Sequence, residues 1–340
     1  MLAAVYEPGN ERLVLDKNYP IRELKDNEIL LKVAAAGVCH SDVALLTGVT
    51  LDTRRYIFGH EACGIPVKSA GVKVDSHAVQ IDKLYSVLAI DGCVRGLNGG
   101  PALFNSIGIG KDGAYAEYII TTVDTLVPVP NGVPPEVAAI ASDAGVTAYH
   151  AVQNAAEVKP GDKVLIFGIG GLGHLAVQYA KHLGATVYAC DFKPAARKLA
   201  LKLGATEAFD LIELSNKITG GFTVDTTIDF IANNQTFNLA MGALRGNDVN
   251  FPSRPKCVLV GASAENLVFT TEDIITSGVQ ILGSTYGERS TLVTVLDLFA
   301  KGIVVGHVHA EPLENINKVI DELRAFEITG RKVVIPHSKA

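Results

Sequence analysis

The hydrophobic pattern of the chain changes between residues 127 and 137. Up to about Val127, short β-type runs are punctuated by glycine, as at residues 29–33 and 116–120. Runs of this kind are typical of β-strands, and helical periodicity is scarce in this part of the chain. The first part is therefore predicted to form an irregular, mostly β domain.

From about Val137 onward, short apolar runs alternate with longer segments of helical period. The runs are largely apolar, as expected of parallel strands that helices cover on both faces. Residues 172–183 repeat apolar positions at helical spacing and stop before Gly184, a natural helix end. The pattern predicts a parallel α/β sheet with strands at residues 163–167, 186–191, 226–231, 257–261 and 280–283.

After about Gly287 the chain contains two more helical patterns and two strand-like runs. Helices are expected near residues 291–300 and 313–326, and strands near residues 304–309 and 332–336. The pattern alone leaves open which of the two domains this tail extends.

Length and composition fit about two domains. The chain has 340 residues, and one hydrophobic core usually supports about 100 to 200 residues. It is 48% hydrophobic and 19% charged, with a mean hydropathy of +0.26, which excludes disorder as the main state. Thirty lysines and arginines against 36 aspartates and glutamates give a net charge of −6, without a basic run. This balance argues against nucleic-acid and membrane partners and favours a small-molecule partner.

The five cysteines do not suggest a disulfide framework, because they are odd in number and scattered, at positions 39, 63, 93, 190 and 257. The N-terminus lacks the features of a signal peptide. No apolar run reaches the roughly 18 residues that a membrane span needs. We therefore expect a soluble, cytoplasmic protein.

A glycine-rich turn follows the first predicted strand of the α/β region and opens the helix behind it. In a G-x-G-x-x-G turn, the first glycine allows a tight bend and the second lets backbone N–H groups approach a pyrophosphate. The third allows close packing of helix and strand. Because a strand precedes the turn and a helix follows it, the sequence predicts a dinucleotide site at Gly168, Gly170, Gly171, Leu172 and Gly173.

Asp191 closes the next predicted strand, 191 − 168 = 23 positions after the first glycine of the turn. This is close to the spacing of a carboxylate that binds the ribose 2′-hydroxyl of a dinucleotide. Its charge repels a 2′-phosphate, so NAD(H) is favoured over NADP(H). Lys193, two residues later, would partly relieve that repulsion and leave some tolerance of NADP(H).

Two short segments of the first domain contain residues that zinc prefers as ligands. They are Gly-Val-Cys-His-Ser-Asp at residues 37–42 and Gly-His-Glu at residues 59–61. A catalytic zinc needs three protein ligands and an open position, and Cys39 and His60 supply two ligands. Either segment alone is ordinary, since a single cysteine or histidine usually has a packing or structural role. Their combination with a dinucleotide motif favours a catalytic metal.

As a set, these motifs resemble those of the zinc-dependent medium-chain alcohol dehydrogenase family, and the resemblance runs over nearly the entire chain. It also includes Asp-Gly-Ala-Tyr-Ala-Glu-Tyr at residues 112–118, Ala-Gly-Val-Thr-Ala-Tyr at residues 144–149, and Gly330-Arg331. The resemblance implies that Cys39 and His60 bind a catalytic zinc ion.

The resemblance also implies the fold. It predicts an α/β protein in which a Rossmann domain, doubly wound around a parallel sheet, is inserted into a mostly β, GroES-like catalytic domain. The catalytic domain is expected at residues 1–145 and 287–340, and the NAD-binding domain at residues 146–286.

One departure from the family pattern concerns the third zinc ligand. The family usually has a second cysteine just before the Ala-Gly-Val-Thr segment, and here Asp143 stands at that position. A carboxylate keeps the total ligand charge but donates less than a thiolate. Asp143 is the expected third ligand, with Glu61 as a nearby or exchanging carboxylate. In the alternative, Glu61 is the ligand and Asp143 is a hydrogen-bond partner of His60.

A second departure concerns structural zinc. Members of the family commonly carry a lobe with four closely spaced cysteines. This chain has only Cys93 in the corresponding glycine-rich segment, and one cysteine cannot close a tetrahedral Cys₄ site. We therefore expect one catalytic zinc per chain and no structural zinc.

Further roles follow from the resemblance. Ser41 matches the family position whose hydroxyl receives the alcohol proton. Many relatives end this proton relay at a histidine that residues 42–46 of this chain lack, so the path beyond Ser41 is open between water and His40. His40 and Arg331 resemble residues that contact the cofactor pyrophosphate.

The expected reaction is the interconversion of alcohols with aldehydes or ketones, by hydride transfer with NAD(H) and with zinc as the Lewis acid. The alternatives are a zinc-free quinone or enoyl reductase, a non-enzymatic NAD-binding regulator and a zinc hydrolase. The Cys39 and His60 pair disfavours the first, and the dinucleotide motif disfavours the last. By analogy with the family, a homodimer or homotetramer is expected, commonly through Rossmann sheet edges near residues 279–283.

Overall fold

The computed structural model describes residues 1–47, 54–71, 79–89, 106–244, 254–263 and 265–338. Cys93, on which the expectation about structural zinc rests, lies outside these residues. The chain forms two compact units. Unit 1 consists of Met1–Val146, Gly287–Gly302 and Gly306–Ala340, and unit 2 of Thr147–Tyr286 and Ile303–Val305. Among the described residues, no helix has the length and apolar character that crossing a membrane requires.

The described strands follow one another along the chain in both units. They are β1 (Ala3–Tyr6), β2 (Val14–Asp16), β3 (Glu28–Val38), β4 (Tyr56–Ile57), β5 (Glu61–Ala70), β6 (Tyr85–Leu88), β7 (Ser106–Ile107), β8 (Gly110–Lys111), β9 (Tyr118–Thr122), β10 (Leu126–Pro128), β11 (Lys163–Phe167), β12 (Thr186–Cys190), β13 (Glu207–Phe209), β14 (Thr226–Asp229), β15 (Lys256–Leu259), β16 (Gln280–Gly283), β17 (Val308–Pro312) and β18 (Arg331–Ile335).

The described α-helices are concentrated in the second half of the chain. They are α1 (His40–Leu46), α2 (Pro135–Ile140), α3 (Val146–Tyr149), α4 (Gly173–His182), α5 (Pro194–Leu203), α6 (Leu211–Thr219), α7 (Asn234–Leu244), α8 (Thr271–Ser277), α9 (Arg289–Ala300) and α10 (Ile316–Arg324). Two π-helical turns, Ala141–Gly145 and His150–Ala155, interrupt the helical stretch that begins with α2.

The main sheet of unit 1 joins strands from both ends of the chain. Its order is β10-β6-β5-β3-β18-β17, and β9 also pairs with β3. β3 runs antiparallel to β5 and β18, so that Gly37 near its end lies opposite Glu61 and Val333. This register places Cys39, which follows β3, near the start of β5. The mostly β, GroES-like architecture expected for this part of the chain is confirmed.

Unit 2 is built on a parallel sheet of order β13-β12-β11-β14-β15-β16. The strand order reverses between β11 and β14, the arrangement that creates a ligand crevice beyond the carboxyl ends of the strands. Phe167 at the end of β11 lies in register with Cys190 and Asp229 on its two neighbours. The predicted Rossmann sheet is therefore confirmed. The strands at residues 163–167 and 280–283 begin and end where the sequence predicted.

The strand expected near residues 304–309 begins only at Val308. Residues 303–305 belong to unit 2, where the side chain of Gln178 on α4 satisfies the backbone of Val305. The Val305 N–H donates to Gln178 Oε1 at 2.8 Å, and the Val305 carbonyl accepts from Gln178 Nε2 at 3.0 Å. Because a side chain replaces a neighbouring strand as the partner, this run of β-type residues is not a strand.

Candidate metal centre and nucleotide-binding turn

The end of β3 and the start of β5 bring Cys39, His60 and Glu61 together. Cys39 is the N-cap of α1, and its N–H donates to Asp42 Oδ2 at 3.0 Å. His60 and Glu61 are almost completely buried, at 1% and 0% exposure. Gly37 has no room for a side chain, because a Cβ there would overlap the Glu61 carboxylate. The close approach of β3 to Glu61 therefore requires glycine.

Asp143 reaches the same place from the π-helical turn Ala141–Gly145. Such turns widen a helix by one residue and are frequently found at functional sites. Ser142 fixes the turn in two directions: its hydroxyl donates to the Ala139 carbonyl at 2.7 Å and accepts from the Ala62 N–H at 3.2 Å. Since Ala62 lies on β5 beside Glu61, the turn is aligned with the strand that carries the other carboxylate.

Four potential metal ligands converge at this point. One donor atom from each of Cys39, His60, Glu61 and Asp143 lies within 4.8 Å of the others, and all four residues are buried. A sulfur, an imidazole nitrogen and carboxylate oxygens are the donor types that zinc takes in proteins. The residues predicted as ligands are thus brought together in unit 1, and their chemistry fits zinc.

Asp42 lies behind His60 and is fully buried. Its Oδ1 is 3.4 Å from His60 Nδ1, and its Oδ2 accepts from the Tyr115 hydroxyl at 2.6 Å. Burial and the Asp42 charge raise the pKa of Tyr115 well above its usual range, which keeps the hydroxyl a donor. A carboxylate behind a ligating histidine fixes the orientation of its ring. The family resemblance indicates a structural rather than a reactive carboxylate at Asp42, but the sequence did not identify His60 and Tyr115 as its partners.

Arg331 is buried beside both carboxylates. Its Nε donates to Glu61 Oε2 at 3.2 Å, and its Nη2 donates to Glu61 Oε1 and, at 3.3 Å, to Asp143 Oδ2. Burial acts to raise the pKa of the Cys39 thiol, but the Arg331 charge and His60 outweigh it, so that this pKa lies below its ordinary value. The guanidinium thus compensates the negative charge of the cluster, a role that the sequence alone did not indicate.

Ser41 and His40 lie on the first turn of α1, directly after Cys39. Ser41 is half-buried, and its hydroxyl is 3.3 Å from His60 Nε2. His40 is exposed, and its ring stacks on Phe326 with 5.2 Å between ring centroids. The first turn of α1 therefore places Ser41, the expected proton acceptor, beside the metal-ligand cluster. The same turn places His40 at the surface of unit 1.

The glycine-rich turn in unit 2 has the geometry that its pattern requires. Gly168 adopts a φ of +81°, and a Cβ on Gly173 would overlap the Gly168 carbonyl oxygen. A Cβ on Gly170 would meet nothing within 4 Å, so this position is open to a ligand. The turn leads into the N-terminus of α4, where the helix dipole favours a phosphate.

Asp191 follows β12 and lies against this turn. Its Oδ2 accepts from the Ile169 N–H at 2.7 Å, and its Oδ1 accepts from the Lys193 N–H at 2.8 Å. These bonds fix the orientation of the carboxylate. The structure thus brings the glycine turn, Asp191 and Lys193 together in unit 2.

The comparisons with known proteins agree with these sites. The model of the alcohol dehydrogenase GroES-like domain matches residues 25–131, and that of the zinc-binding dehydrogenase family matches residues 171–301. An alcohol dehydrogenase of Geobacillus stearothermophilus is 34% identical over 98% of this chain and 99% of its own length.

Solved structures are similar over nearly the full length. The alcohol dehydrogenase from the hyperthermophilic archaeon Aeropyrum pernix has a TM-score of 0.85 at 30% identity, covering 99% of this chain and 100% of the other. Acetophenone reductase from Geotrichum candidum, solved with NAD, has a TM-score of 0.83 at 29% identity, covering 98% and 96%. The chain therefore belongs to the zinc-type medium-chain alcohol dehydrogenase family and is an oxidoreductase that acts on alcohols.

Proposed function

We propose that this enzyme interconverts alcohols with aldehydes or ketones, using NAD(H) and one catalytic zinc bound by Cys39, His60 and Asp143. The observation that carries the proposal is the convergence of these donors and Glu61 within 4.8 Å in a buried site. Zinc bound there would act as a Lewis acid toward the alcohol or carbonyl oxygen, and the nicotinamide would exchange the hydride.

The contacts of Arg331 favour Asp143 over Glu61 as the third ligand. Two nitrogens of Arg331 bond Glu61, whereas Asp143 accepts from one of them at 3.3 Å. Asp143 Oδ2 also lies 3.6 Å from Nε2 of His60, which is another proposed ligand. Because Arg331 compensates the negative charge of Glu61 more fully than that of Asp143, Glu61 depends less on the charge of a metal ion. We therefore assign Asp143 to the metal and Glu61 to exchange beside it.

Ser41 is proposed to accept the proton of the alcohol. A hydroxyl can accept one hydrogen bond while it donates another, so it can pass a proton onward. Its Oγ lies 3.3 Å from His60 Nε2, which places it beside the metal-ligand cluster. Beyond Ser41, water or His40 would carry the proton away.

NAD(H) is proposed in preference to NADP(H). The support is Asp191, whose two oxygens are oriented by the backbone N–H groups of Ile169 and Lys193. A fixed carboxylate at this position accepts from a ribose hydroxyl and repels a phosphate. The similar acetophenone reductase was solved with NAD. The segment from Gly168 through Gly170, Gly171 and Leu172 to Gly173 would receive the pyrophosphate. The roles of His40 and Arg331 toward the cofactor stay predictions from the family resemblance, and in the structure Arg331 is bonded to Glu61 and Asp143.

Metal content tests this proposal directly. Protein purified without chelators is expected to contain about one zinc per chain. Cys39→Ala and Asp143→Asn should each retain about tenfold less zinc and lose alcohol oxidation, because each removes a ligand. Asp124→Asn, a change of an exposed aspartate in the same unit, is the matched control and should keep both zinc and activity.

Two results would contradict parts of the proposal. Active wild-type protein without zinc excludes the Lewis-acid role, and a second zinc that survives in both ligand variants excludes the expectation of a single metal. If Glu61→Gln loses zinc and Asp143→Asn keeps it, the ligand assignment is reversed.

The remaining proposals concern partners and location. The substrate is a small alcohol or the matching carbonyl compound, and the assembly is a homodimer or homotetramer. A cytoplasmic location is supported by the buried thiols of Cys63, Cys190 and Cys257, which form no disulfide in the described part of the chain.

A further inference from the structure

Residues 112–115 of unit 1 are bonded to the backbone that leads into His60. Each of the four residues forms a hydrogen bond with a backbone group of residues 57–59. The pairs are Asp112 Oδ1 with the Ile57 N–H at 3.0 Å, and, each at 2.8 Å, the Gly113 N–H with the Ile57 carbonyl, the Ala114 N–H with the Gly59 carbonyl and the Tyr115 N–H with the Phe58 carbonyl. These residues thus fix the chain directly before a proposed metal ligand.

The ring of Tyr115 packs against the same backbone. Tyr115 is completely buried, and a Cβ on Gly59 would come within 2.5 Å of its ring. Gly59 also has a φ of +99°, a conformation that favours glycine. The approach of the ring to the residue before His60 therefore requires glycine there. Because the ring makes this contact, a variant that keeps the ring and loses only the hydroxyl leaves the packing in place.

The Tyr115 hydroxyl holds the carboxylate that lies behind His60. The hydroxyl oxygen is 2.6 Å from Asp42 Oδ2 and 3.1 Å from the Gly37 carbonyl. A hydroxyl has one proton to donate, and the nearer, charged carboxylate is the stronger acceptor. Asp42 Oδ2 also accepts from the Cys39 N–H at 3.0 Å, and Asp42 Oδ1 lies 3.4 Å from His60 Nδ1. One carboxylate therefore connects Tyr115 with two proposed metal ligands.

The two ring nitrogens of His60 face different groups. Nε2 lies 3.6 Å from Asp143 Oδ2 and 3.3 Å from Ser41 Oγ, whereas Nδ1 faces Asp42. When Nε2 serves as the metal ligand, Nδ1 carries the ring proton and needs an acceptor in this buried site. We propose that Tyr115 is a positioning residue whose hydroxyl holds Asp42 as that acceptor and so increases the affinity for zinc. This inference rests on the zinc site proposed above.

Tyr115→Phe tests the role of the hydroxyl, because it keeps the ring. The Kd for zinc, measured by competition with a chromophoric chelator, should rise about tenfold. Tyr85→Phe is the matched control. Tyr85 is another buried tyrosine of unit 1, and its hydroxyl accepts from the Gln80 N–H at 2.8 Å. Both variants should lower the thermal midpoint of the metal-free protein, but Tyr85→Phe should keep the wild-type Kd for zinc.

A second pair of variants tests whether Tyr115 acts through Asp42. Asp42→Asn should raise the Kd for zinc at least as far as Tyr115→Phe does. Adding Tyr115→Phe to Asp42→Asn should raise it no further, because the hydroxyl then has no carboxylate to hold. The inference is overturned if Tyr115→Phe keeps the wild-type Kd, if Tyr85→Phe raises the Kd equally, or if the effects of Tyr115→Phe and Asp42→Asn multiply.

The same titrations separate failure of the inference from failure of the zinc site. If the wild-type protein does not bind zinc, or if Cys39→Ala binds it as tightly as the wild type, the proposed site is wrong and the inference falls with it. If Cys39→Ala loses zinc while Tyr115→Phe binds it normally, the proposed site stands and only the positioning role of Tyr115 is excluded.

Discussion

Arg331 decides how a dense group of negative charges is tolerated in the interior of unit 1. The residue is 4% exposed and contacts Glu61 and Asp143, which are 0% and 6% exposed. Two carboxylates this deeply buried carry a large desolvation cost unless a cation is beside them. The guanidinium supplies that cation whether or not a metal is bound, and its planar fork suits two acceptors better than a lysine would.

Arg331→Gln is therefore expected to destabilise the protein strongly once zinc is removed. After chelator treatment, the free energy of unfolding should fall by about 3 kcal/mol, because two buried carboxylates lose their partner. With zinc bound the loss should be smaller, since the metal charge compensates part of the cluster. Urea unfolding with and without chelator measures both values.

Arg12→Gln is the matched control. It breaks an ion pair of 2.6 Å with Asp321, but these side chains are 61% and 46% exposed. An exposed pair contributes about 0 to 1 kcal/mol. A similar loss of unfolding free energy in Arg331→Gln and Arg12→Gln would show that the buried cluster does not depend on Arg331.

At the scale of elements, the turn between β11 and α4 uses two of its glycines for different reasons. Gly173 packs against the Gly168 carbonyl oxygen, which is backbone and cannot move aside. Gly170 has open space where its side chain would be. The first is needed for the fold of the turn and the second for the approach of a ligand.

Gly173→Ala and Gly170→Ala should consequently fail in different ways. Gly173→Ala is expected to lower stability by about 1 to 3 kcal/mol, as overpacking does. Gly170→Ala should keep its stability and raise the Kd for NADH about tenfold or more, because the methyl group occupies the pyrophosphate approach. Thermal unfolding and calorimetric titration with NADH separate the two effects. Equal stability losses would contradict this division of roles.

The turn was predictable from the sequence because its determinants are local. The strand, the glycines and the helix follow one another within about 20 residues, a span over which hydrophobic period and glycine spacing are informative. The family, the Rossmann sheet and the GroES-like domain were confirmed for the same reason, since each rests on several local motifs.

The contacts around the metal cluster were not predictable, because they depend on register between distant strands. Arg331 meets Glu61 across 270 positions of the chain, and Tyr115 meets Asp42 across 73. No local pattern encodes either distance. The predicted strand near residue 304 is absent from the described structure for a similar reason. The Gln178 side chain, which bonds the Val305 backbone in place of a neighbouring strand, lies 127 positions away along the chain.

At the scale of the whole molecule, one edge of the unit 2 sheet has features of a subunit interface. β16 ends the described sheet, and an unpaired strand edge can join the edge of a second copy. The residues before it expose large apolar side chains: Val268 is 69% exposed, Phe269 50% and Ile275 78%. At the other edge, α6 after β13 exposes Ile212 at 75%. The proposed homo-oligomer would use the β16 edge, where apolar exposure and a strand edge coincide.

Ile275→Glu should therefore dissociate the oligomer, whereas Ile212→Glu should not. Both changes put a charge on an equally exposed isoleucine of a unit 2 helix, so each should leave the folded chain intact. A carboxylate buried at an interface without a partner costs several kcal/mol, which raises the dissociation constant about 100-fold or more. Sedimentation velocity over a range of concentrations measures the shift. A monomeric wild type would exclude the assembly, and dissociation by Ile212→Glu alone would move the interface to the β13 edge.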